Sequence, residues 1–412
     1  MVFEFIRAAG TCIVCRNSAI PRRTRREAAY AIAGGTGTTR MTHTMDFLHE
    51  VFSNFIEGGS IVNVEQFRGG HINQTYFVTH EDGRGRRRRY VMQSMNRTVF
   101  PRLKELMENV IRVSEHMHRR CTAQEHPDAR RGYIHFVRAR DGRNSLDSEA
   151  LGFWRLYHFI ENAVGKMTPS SETEAFAAGE AFGKFQELLS DMPPPRLHET
   201  ISRFHDTRWR YENLEAAAAK DACGRLAGCR DVLDGLRELR DAALAVQLAA
   251  EAGRLPERVV HNDAKLSNVL LDSTDGHAVC VIDLDTCMPG ISLHDFGDLM
   301  RSICSSEDED TENPGRIVVR KDMFAALHAG YVKGATGMLT AEERALLPES
   351  GAVLTLEVAV RFLADYLAGD VYFRVKHPEH NLVRARAQLV LARKLVAKMP
   401  ELHAIAAEQE RE

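Results

Sequence analysis

Two hydrophobic rhythms divide this chain: short alternating runs dominate residues 46–160, and apolar positions recur at helical spacing beyond 161. DFLHEVFSNFI puts Phe47, Val51, Phe52 and Phe55 on one stripe, which predicts a helix. Strands are predicted over 60–67, 75–79 and 90–95, the first two flanking Arg68-Gly69-Gly70-His71-Ile72-Asn73. A second helix over 100–118 follows from the spacing of Leu103, Leu106, Val110 and Val113. Runs over 133–138 and 152–159 complete a predicted five-stranded antiparallel sheet carrying one packed helix.

The remainder reads as helix. One helix spans 171–189 and is stopped by Pro193-Pro194-Pro195, and two or three Ala- and Leu-rich helices fill 207–252. Further helices are predicted over 321–334, 341–347, 353–367 and 382–398. The acidic SSEDEDTENPG lacks EF-hand spacing and reads as a mobile surface loop. The fold class is therefore α+β, a small antiparallel-sheet lobe followed by a mostly helical one.

Composition narrows the function classes. A net charge of −3 over 412 residues supplies no field for nucleic acid or an anionic membrane surface. The arginines of EDGRGRRRR have no interleaved aromatics and read as a solvated hairpin tip. No apolar stretch is long enough to span a bilayer. Eight scattered cysteines, with one CxxC at Cys12 and Cys15 and no second ligand pair, fit reduced thiols in a cytoplasmic protein. Residues 1–44 are basic and end in a Gly/Thr linker. They read as a disordered extension, or as the product of a start assigned upstream of Met41 or Met45.

The chemistry concentrates in VVHNDAKLSNVLLDSTDGHAVCVIDLD. Asp263, Lys265 and Asn268 stand together, and a strand hairpin returns the chain with Asp283 and Asp285. These are the parts that metal-assisted phosphoryl transfer needs. Asp263 is assigned to the acceptor hydroxyl and Lys265 to the transferring phosphoryl; Asn268 and Asp283, assisted by Asp285, are assigned to Mg²⁺. The literal Asp295-Phe296-Gly297 is a decoy: Asp283 lies directly behind a strand, whereas Asp295 lies past Pro289-Gly290 and opens a helix. Asp295 is read as a structural carboxylate that bonds the 261–268 loop backbone or caps its own helix. On the nucleotide side, Gly69 and Gly70 offer backbone N–H groups to phosphates. His71 and Asn73 face phosphate or acceptor, or simply belong to a polar hairpin. The third strand lacks a lysine and presents Gln93, which can bond a phosphate without neutralising it. Phe159-Ile160-Glu161, where sheet meets helices, is the expected adenine hinge.

These motifs resemble the aminoglycoside phosphotransferase and choline kinase superfamily, whose fold is bilobal and protein-kinase-like. GHINQTYFV, YVMQSMNRTVFP, LMENVIRV, WRLYHFIE, ISRFHDT, HNDAKLSNVLLD, VIDLDTCMPG, HDFGDLMR and RFLADYLAGDVYF narrow the resemblance to N-acetylhexosamine 1-kinases over roughly residues 46–400. The resemblance implies ATP and Mg²⁺ as cofactors, a small sugar as acceptor, and phosphorylation of the anomeric hydroxyl. It implies a nucleotide lobe over 45–160, a helical lobe with catalytic loop and acceptor site over 161–402, and a charged tail over 403–412. It also places His71, Arg361 and Tyr372 around the sugar. The residues themselves add Asp365, four positions after Arg361 on the same predicted helix face; an intrahelical ion pair and a core tyrosine stay open as the structural alternative. One departure stands out: Arg68-Gly69-Gly70 lacks the acid that such a loop would carry, which bears on sugar selectivity. Kinases acting on homoserine, choline, ethanolamine or aminoglycosides are the alternative within the superfamily. A pseudokinase would have lost Asp263, Asn268 or Asp283, and all three are present.

Overall fold

The computed structural model describes residues 44–67, 73–123, 128–409 and 411. The amino-terminal extension through 43 and the Gly69, Gly70 and His71 assignments lie outside the described residues. Thr44 caps α1 (Met45–Ser53), its Oγ accepting the Phe47 N–H at 3.3 Å. The strands β1 (Ser60–Phe67), β2 (Gln74–Glu81) and β3 (Arg87–Ser94) follow, then α2 (Leu103–Ala123), β4 (Phe136–Val137), β5 (Leu146–Ser148) and β6 (Gly152–His158). All pairings are antiparallel, in the order β1-β2-β3-β6-β4, with β5 adding a sixth strand on β6. The sixth strand is three residues long, too short to show an alternating pattern in sequence.

Alternation along β2, β3 and β6 sends Tyr76, Val78, Tyr90, Met92, Trp154 and Leu156 to one face, where Leu48, Val51, Phe52 and Phe55 of the first helix region cover them. The opposite side is closed by α2, whose Leu106, Val110, Val113 and Met117 join the core of the helical lobe. The arginine run is exposed as expected but divides between two places: Arg84 and Arg86 lie in the hairpin turn, held to Asp82. Arg87, Arg88 and Arg89 lie in β3, with Arg87 paired to Glu81 and Arg89 to Glu161.

The second lobe contains β7 (Ala163–Gly165), α3 (Glu172–Leu189), α4 (Thr207–Lys220), α5 (Arg230–Glu238), α6 (Arg240–Ala243) and α7 (Ala245–Glu251). It continues through β8 (Arg258–Val260), β9 (Val269–Asp272), β10 (Ala278–Val281), β11 (Met288–Gly290) and α8 (Ser292–Ile303). The chain ends with α9 (Lys321–Gly334), α10 (Ala341–Ala345), α11 (Leu347–Ala368) and α12 (His380–Gln409). The last helix passes through Pro400 and keeps Leu402 and Ala406 buried, so the expected tail from 403 is helical through Gln409. The acidic loop after α8 is anchored rather than loose: Glu309 meets Arg301, and Asp310 meets Lys376 and His380.

Helices α3 and α9 approach at backbone distance. A Cβ on Gly179 or Gly183 would lie under 3.0 Å from the Leu327 or Tyr331 carbonyl oxygen, and one on Gly330 or Gly334 would collide with the Phe176 or Glu180 oxygen. The pair therefore forms a close-packed base, against which β8, β9, β10 and α8 present the connecting loops.

Candidate active site

The 261–268 loop is fixed from behind. Asp295, fully buried on the first turn of α8, accepts the His261 N–H at 2.9 Å and the Asn262 N–H at 2.7 Å, one on each oxygen. Gln186 of α3 adds its amide at 2.5 Å. These contacts are those of a backbone anchor, and Gly297 of the same tripeptide simply abuts the Ser350 carbonyl. His261 is buried edge-on to Phe182 and Phe185. Its Nε2 faces the Ile282 carbonyl at 2.9 Å and its Nδ1 faces the Asp263 N–H at 3.3 Å. One nitrogen must donate and the other accept, so the network assigns a single tautomer. Asn262 and Asp283 both take φ of 64°, a left-handed conformation that Asn and Asp bear better than other side chains.

This support aims Asp263 into the cleft. Lys265 Nζ donates to Asp263 Oδ2 at 2.8 Å; Asn268 Nδ2 donates to the Asp263 carbonyl at 2.8 Å and to Oδ2 at 3.2 Å. Asp263 Oδ1 meets no donor among the described residues, and the side chain is 35% exposed, open to an incoming hydroxyl. Burial opposes ionisation, but the Lys265 ammonium and the Asn268 bond more than offset it and hold the Asp263 carboxyl below its ordinary value. Lys265 is likewise held charged: burial works against the ammonium, and Asp263 and Asp283 outweigh it.

With its nitrogen committed to Asp263, the Asn268 amide has its oxygen left for a ligand. Asp283 keeps an exposed surface, yet desolvation by the surrounding protein first, then the like charges of Asp285 and Asp263, push its carboxyl up to about 6. A crowded acid cluster beside a neutral amide oxygen fits a hard divalent cation, and Asn268 and Asp283 are the residues that would hold Mg²⁺. Such an ion, when bound, neutralises phosphate charge.

Asp285 was assigned to the same ion, but its two oxygens are engaged elsewhere: Oδ1 by Arg155 Nη1 and Oδ2 by Asn73 Nδ2 at 2.8 Å. Asn73 also accepts the Asn96 N–H at 3.1 Å, so it braces the sheet against the 283–285 turn. Gln93 does not present a free amide to a ligand. Its nitrogen donates to Thr75 Oγ at 3.0 Å and its oxygen accepts from Arg155 Nε at 2.8 Å. At the hinge, Phe159 packs edge-on to Phe77 beneath the Arg89 guanidinium, 3.9 Å from its ring centre. The N–H groups of Ile160 and Glu161 meet no acceptor among the described residues.

Near Phe204 and His205, which faces the Asn262 carbonyl, Arg361 forms no ion pair with Asp365. Its guanidinium lies 5.1, 6.0 and 5.5 Å from the rings of Phe204, Tyr372 and Phe373. Tyr372 is 63% exposed, which removes the core-tyrosine alternative. Asp365 was expected to meet the acceptor. It is buried and accepts the N–H groups of Val371, Tyr372 and Phe373 and the Asn381 amide, so it shapes the loop that carries Tyr372.

Sequence reasoning missed a second buried cluster here. Glu357 of α11 accepts from His205 Nδ1 and Thr207 Oγ, each at 2.8 Å, while His205 Nε2 faces the Asn262 carbonyl at 3.3 Å. The His294 ring lies 4.6 Å from that of His205, and its buried Nδ1 meets no partner among the described residues. The nearest sequence signal was the crowding of His and Asp in ISRFHDT and SLHDFGD.

Burial first, and His205 second, push the His294 imidazole down to about 3, whereas an unfolded histidine titrates near 6.5. Between those values the unfolded chain binds the extra proton, so stability falls as pH drops below about 6.5. Glu357 acts in a lower window: burial opposes its charge, but His205 and Arg361 hold it down to about 2, so its contribution is lost as pH falls from 4.5 towards 2. Urea unfolding from pH 7 to pH 4.5 should show the decline, and His294→Gln should flatten it. An unchanged slope in the variant would remove His294 from the account.

Comparison with known proteins follows from this geometry. A family model described as the phosphotransferase enzyme family matches residues 63–335. An aminoglycoside phosphotransferase from Alicyclobacillus acidocaldarius is similar in structure, with a TM-score of 0.54 and 14% identity, covering 87% of this chain and 96% of that one. Spectinomycin phosphotransferase, solved with ADP and spectinomycin, gives 0.52 at 13% identity, covering 89% and 98%. Plasmodium vivax ethanolamine kinase gives 0.51 at 12%, covering 79% and 82%. At such identities the likeness carries the fold alone, a bilobal α+β kinase-like architecture.

Proposed function

Because the chain belongs to the phosphotransferase enzyme family, we propose that it transfers the γ-phosphoryl group of ATP, with Mg²⁺, to the anomeric hydroxyl of an N-acetylhexosamine. Phosphoryl transfer asks the protein mainly for positioning and charge complementarity. Asp263 Oδ1 orients the acceptor hydroxyl in line and takes its proton as the new O–P bond forms and the bond from the γ-phosphorus to the β–γ bridging oxygen breaks, releasing ADP. Lys265, beside it, offsets charge on the transferring group.

The observation that carries the acceptor class is the charge state of the wall formed by Glu357, Arg361 and Asp365, which meets the 261–268 loop through His205. Its carboxylates are already engaged, Glu357 by His205 and Thr207 and Asp365 by three backbone N–H groups. The Arg361 guanidinium stands among three aromatic rings and meets no hydrogen-bond acceptor among the described residues. A donor fork with aromatic platforms suits a neutral ring bearing carbonyl and hydroxyl oxygens, whereas Glu357 and Asp365 already have their own donors and are not offered to an ammonium. Spectinomycin and ethanolamine, the acceptors named for two structural neighbours, both carry amines, so this wall speaks for a different acceptor.

An ATP-consumption assay over acetamido sugars, hexoses, homoserine, ethanolamine, choline and aminoglycosides, with ³¹P analysis of the product, tests the reading. Turnover is expected with N-acetylglucosamine or N-acetylgalactosamine, giving an anomeric phosphate. A phosphate at C6, or turnover only with an amine, overturns it.

A further inference from the structure

A kinase-type site uses a lysine on its third strand to meet the nucleotide phosphates, and β3 of this chain has none. Gln93 is directly opposite Thr75 on β2 and Arg155 on β6, so the three residues form one row across the sheet. Hydrogen bonds run along that row from Arg155 Nε to Gln93 Oε1 at 2.8 Å and from Gln93 Nε2 to Thr75 at 3.0 Å. Both ends of the Gln93 amide thus serve to orient the arginine.

The arginine leads to the metal-side turn. Arg155 Nη1 meets Asp285 Oδ1, whose other oxygen takes Asn73, the residue just before β2. Arg155 is 3% exposed and Asp285 5%. Burial disfavours the guanidinium charge, but Asp285 and Asp283 outweigh it, so the cation is permanent. Arg155 Nη2 meets no acceptor among the described residues. A buried cation with a fixed stem, one carboxylate partner and a spare donor edge, next to the turn that carries Asp283, is placed to receive phosphate oxygens.

We infer that Arg155, reaching from β6, takes the place of the missing third-strand lysine and binds the diphosphate portion of the nucleotide, with Gln93 as its positioning residue. The inference rests on the nucleotide-dependent reading above and names a residue that the motifs do not.

The test separates phosphate recognition from a purely structural strut. Removing Arg155 alone would strand the buried Asp285 charge, so the background variant is Arg155→Gln with Asp285→Asn, which leaves neither charge unmatched. Full-length proteins are compared for equilibrium binding of ADP and of adenosine in EDTA, so that no metal enters the comparison, and far-UV circular dichroism reports folding. ADP affinity is expected to fall by about 10- to 100-fold, the usual scale of a charge-assisted bond, with adenosine changed by less than about threefold. Adding Gln93→Lys to that background, which returns the cation to β3, should recover most of the ADP affinity. The conservative Arg155→Lys, keeping Asp285, gives a second measurement should the double variant unfold, and should weaken ADP more than adenosine. Equal losses for ADP and adenosine, or none for either, overturn the inference. Wild-type protein that fails to bind ADP refutes the nucleotide reading and the inference with it; a wild-type preference for ADP over adenosine that survives in the variant refutes the inference alone.

Discussion

Asp263→Asn should lower kcat by about 10³-fold or more while leaving ADP affinity within about twofold. The amide keeps the shape of the side chain, and the anchors from Asp295 and His261 act on the backbone, so the loop has no reason to move. What is lost is the anionic Oδ1 that faces the cleft, together with the charge that holds Lys265 Nζ at 2.8 Å. An amide cannot take the acceptor proton, and a lysine released from its partner no longer points at the transferring group. The two losses act on the same step, so they should appear in kcat rather than in nucleotide binding. Steady-state turnover with the best acceptor from the panel, beside calorimetric ADP binding, checks both halves. Turnover within tenfold of wild type would take the proton-accepting role away from Asp263.

Asp295→Ala should destabilise the fold by about 3–5 kcal/mol, since a buried donor left without its acceptor costs about 1–3 kcal/mol. Three donors lose their acceptor at once: two N–H groups of the 261–268 loop and the Gln186 amide. All three are shielded from water, because Asp295 and His261 are 0% exposed, Gln186 1% and Asn262 6%. Asp295→Asn is the finer probe. It keeps the volume but offers an NH₂ to a backbone N–H, so it should cost less in urea midpoint than alanine while still disturbing the loop. If the alanine variant unfolds at the wild-type denaturant concentration, the anchor assignment fails. The comparison also separates this aspartate from the one in kinase DFG motifs: here the primary readout is stability, with metal affinity changed only in so far as the loop shifts.

Legibility followed sequence distance. The 261–268 loop and the 283–285 turn could be read because their parts are contiguous and a two-strand hairpin fixes their relation. The choice of Asp283 over Asp295 for the metal came from spacing alone. Partnerships that close over long separations left no local mark: Arg155 with Asp285, Asn73 with Asp285 and His205 with Glu357. Arg155 in particular sits mid-strand in WRLYHFIE, where alternation says which face a residue takes and nothing about which turn that face meets. Asp365 was drawn to the acceptor by its spacing from Arg361, a pattern blind to the three backbone N–H groups just past the helix end. Strand and helix existence was largely visible, while boundaries drifted where tertiary contact overrides local preference, as at Pro400.

The seam between α3 and α9 has a consequence for anyone seeking a sturdier protein. Replacing helical glycine with alanine normally gains up to about 1 kcal/mol per site, and Gly179, Gly183, Gly330 and Gly334 would head any such design on propensity grounds. Here each new methyl would be driven into a carbonyl on the facing helix, and backbone cannot swing aside as a flexible side chain can. The four positions are a design trap, in which the usual recipe for thermal hardening pries apart the two rods on which the phosphate-transfer loops are mounted.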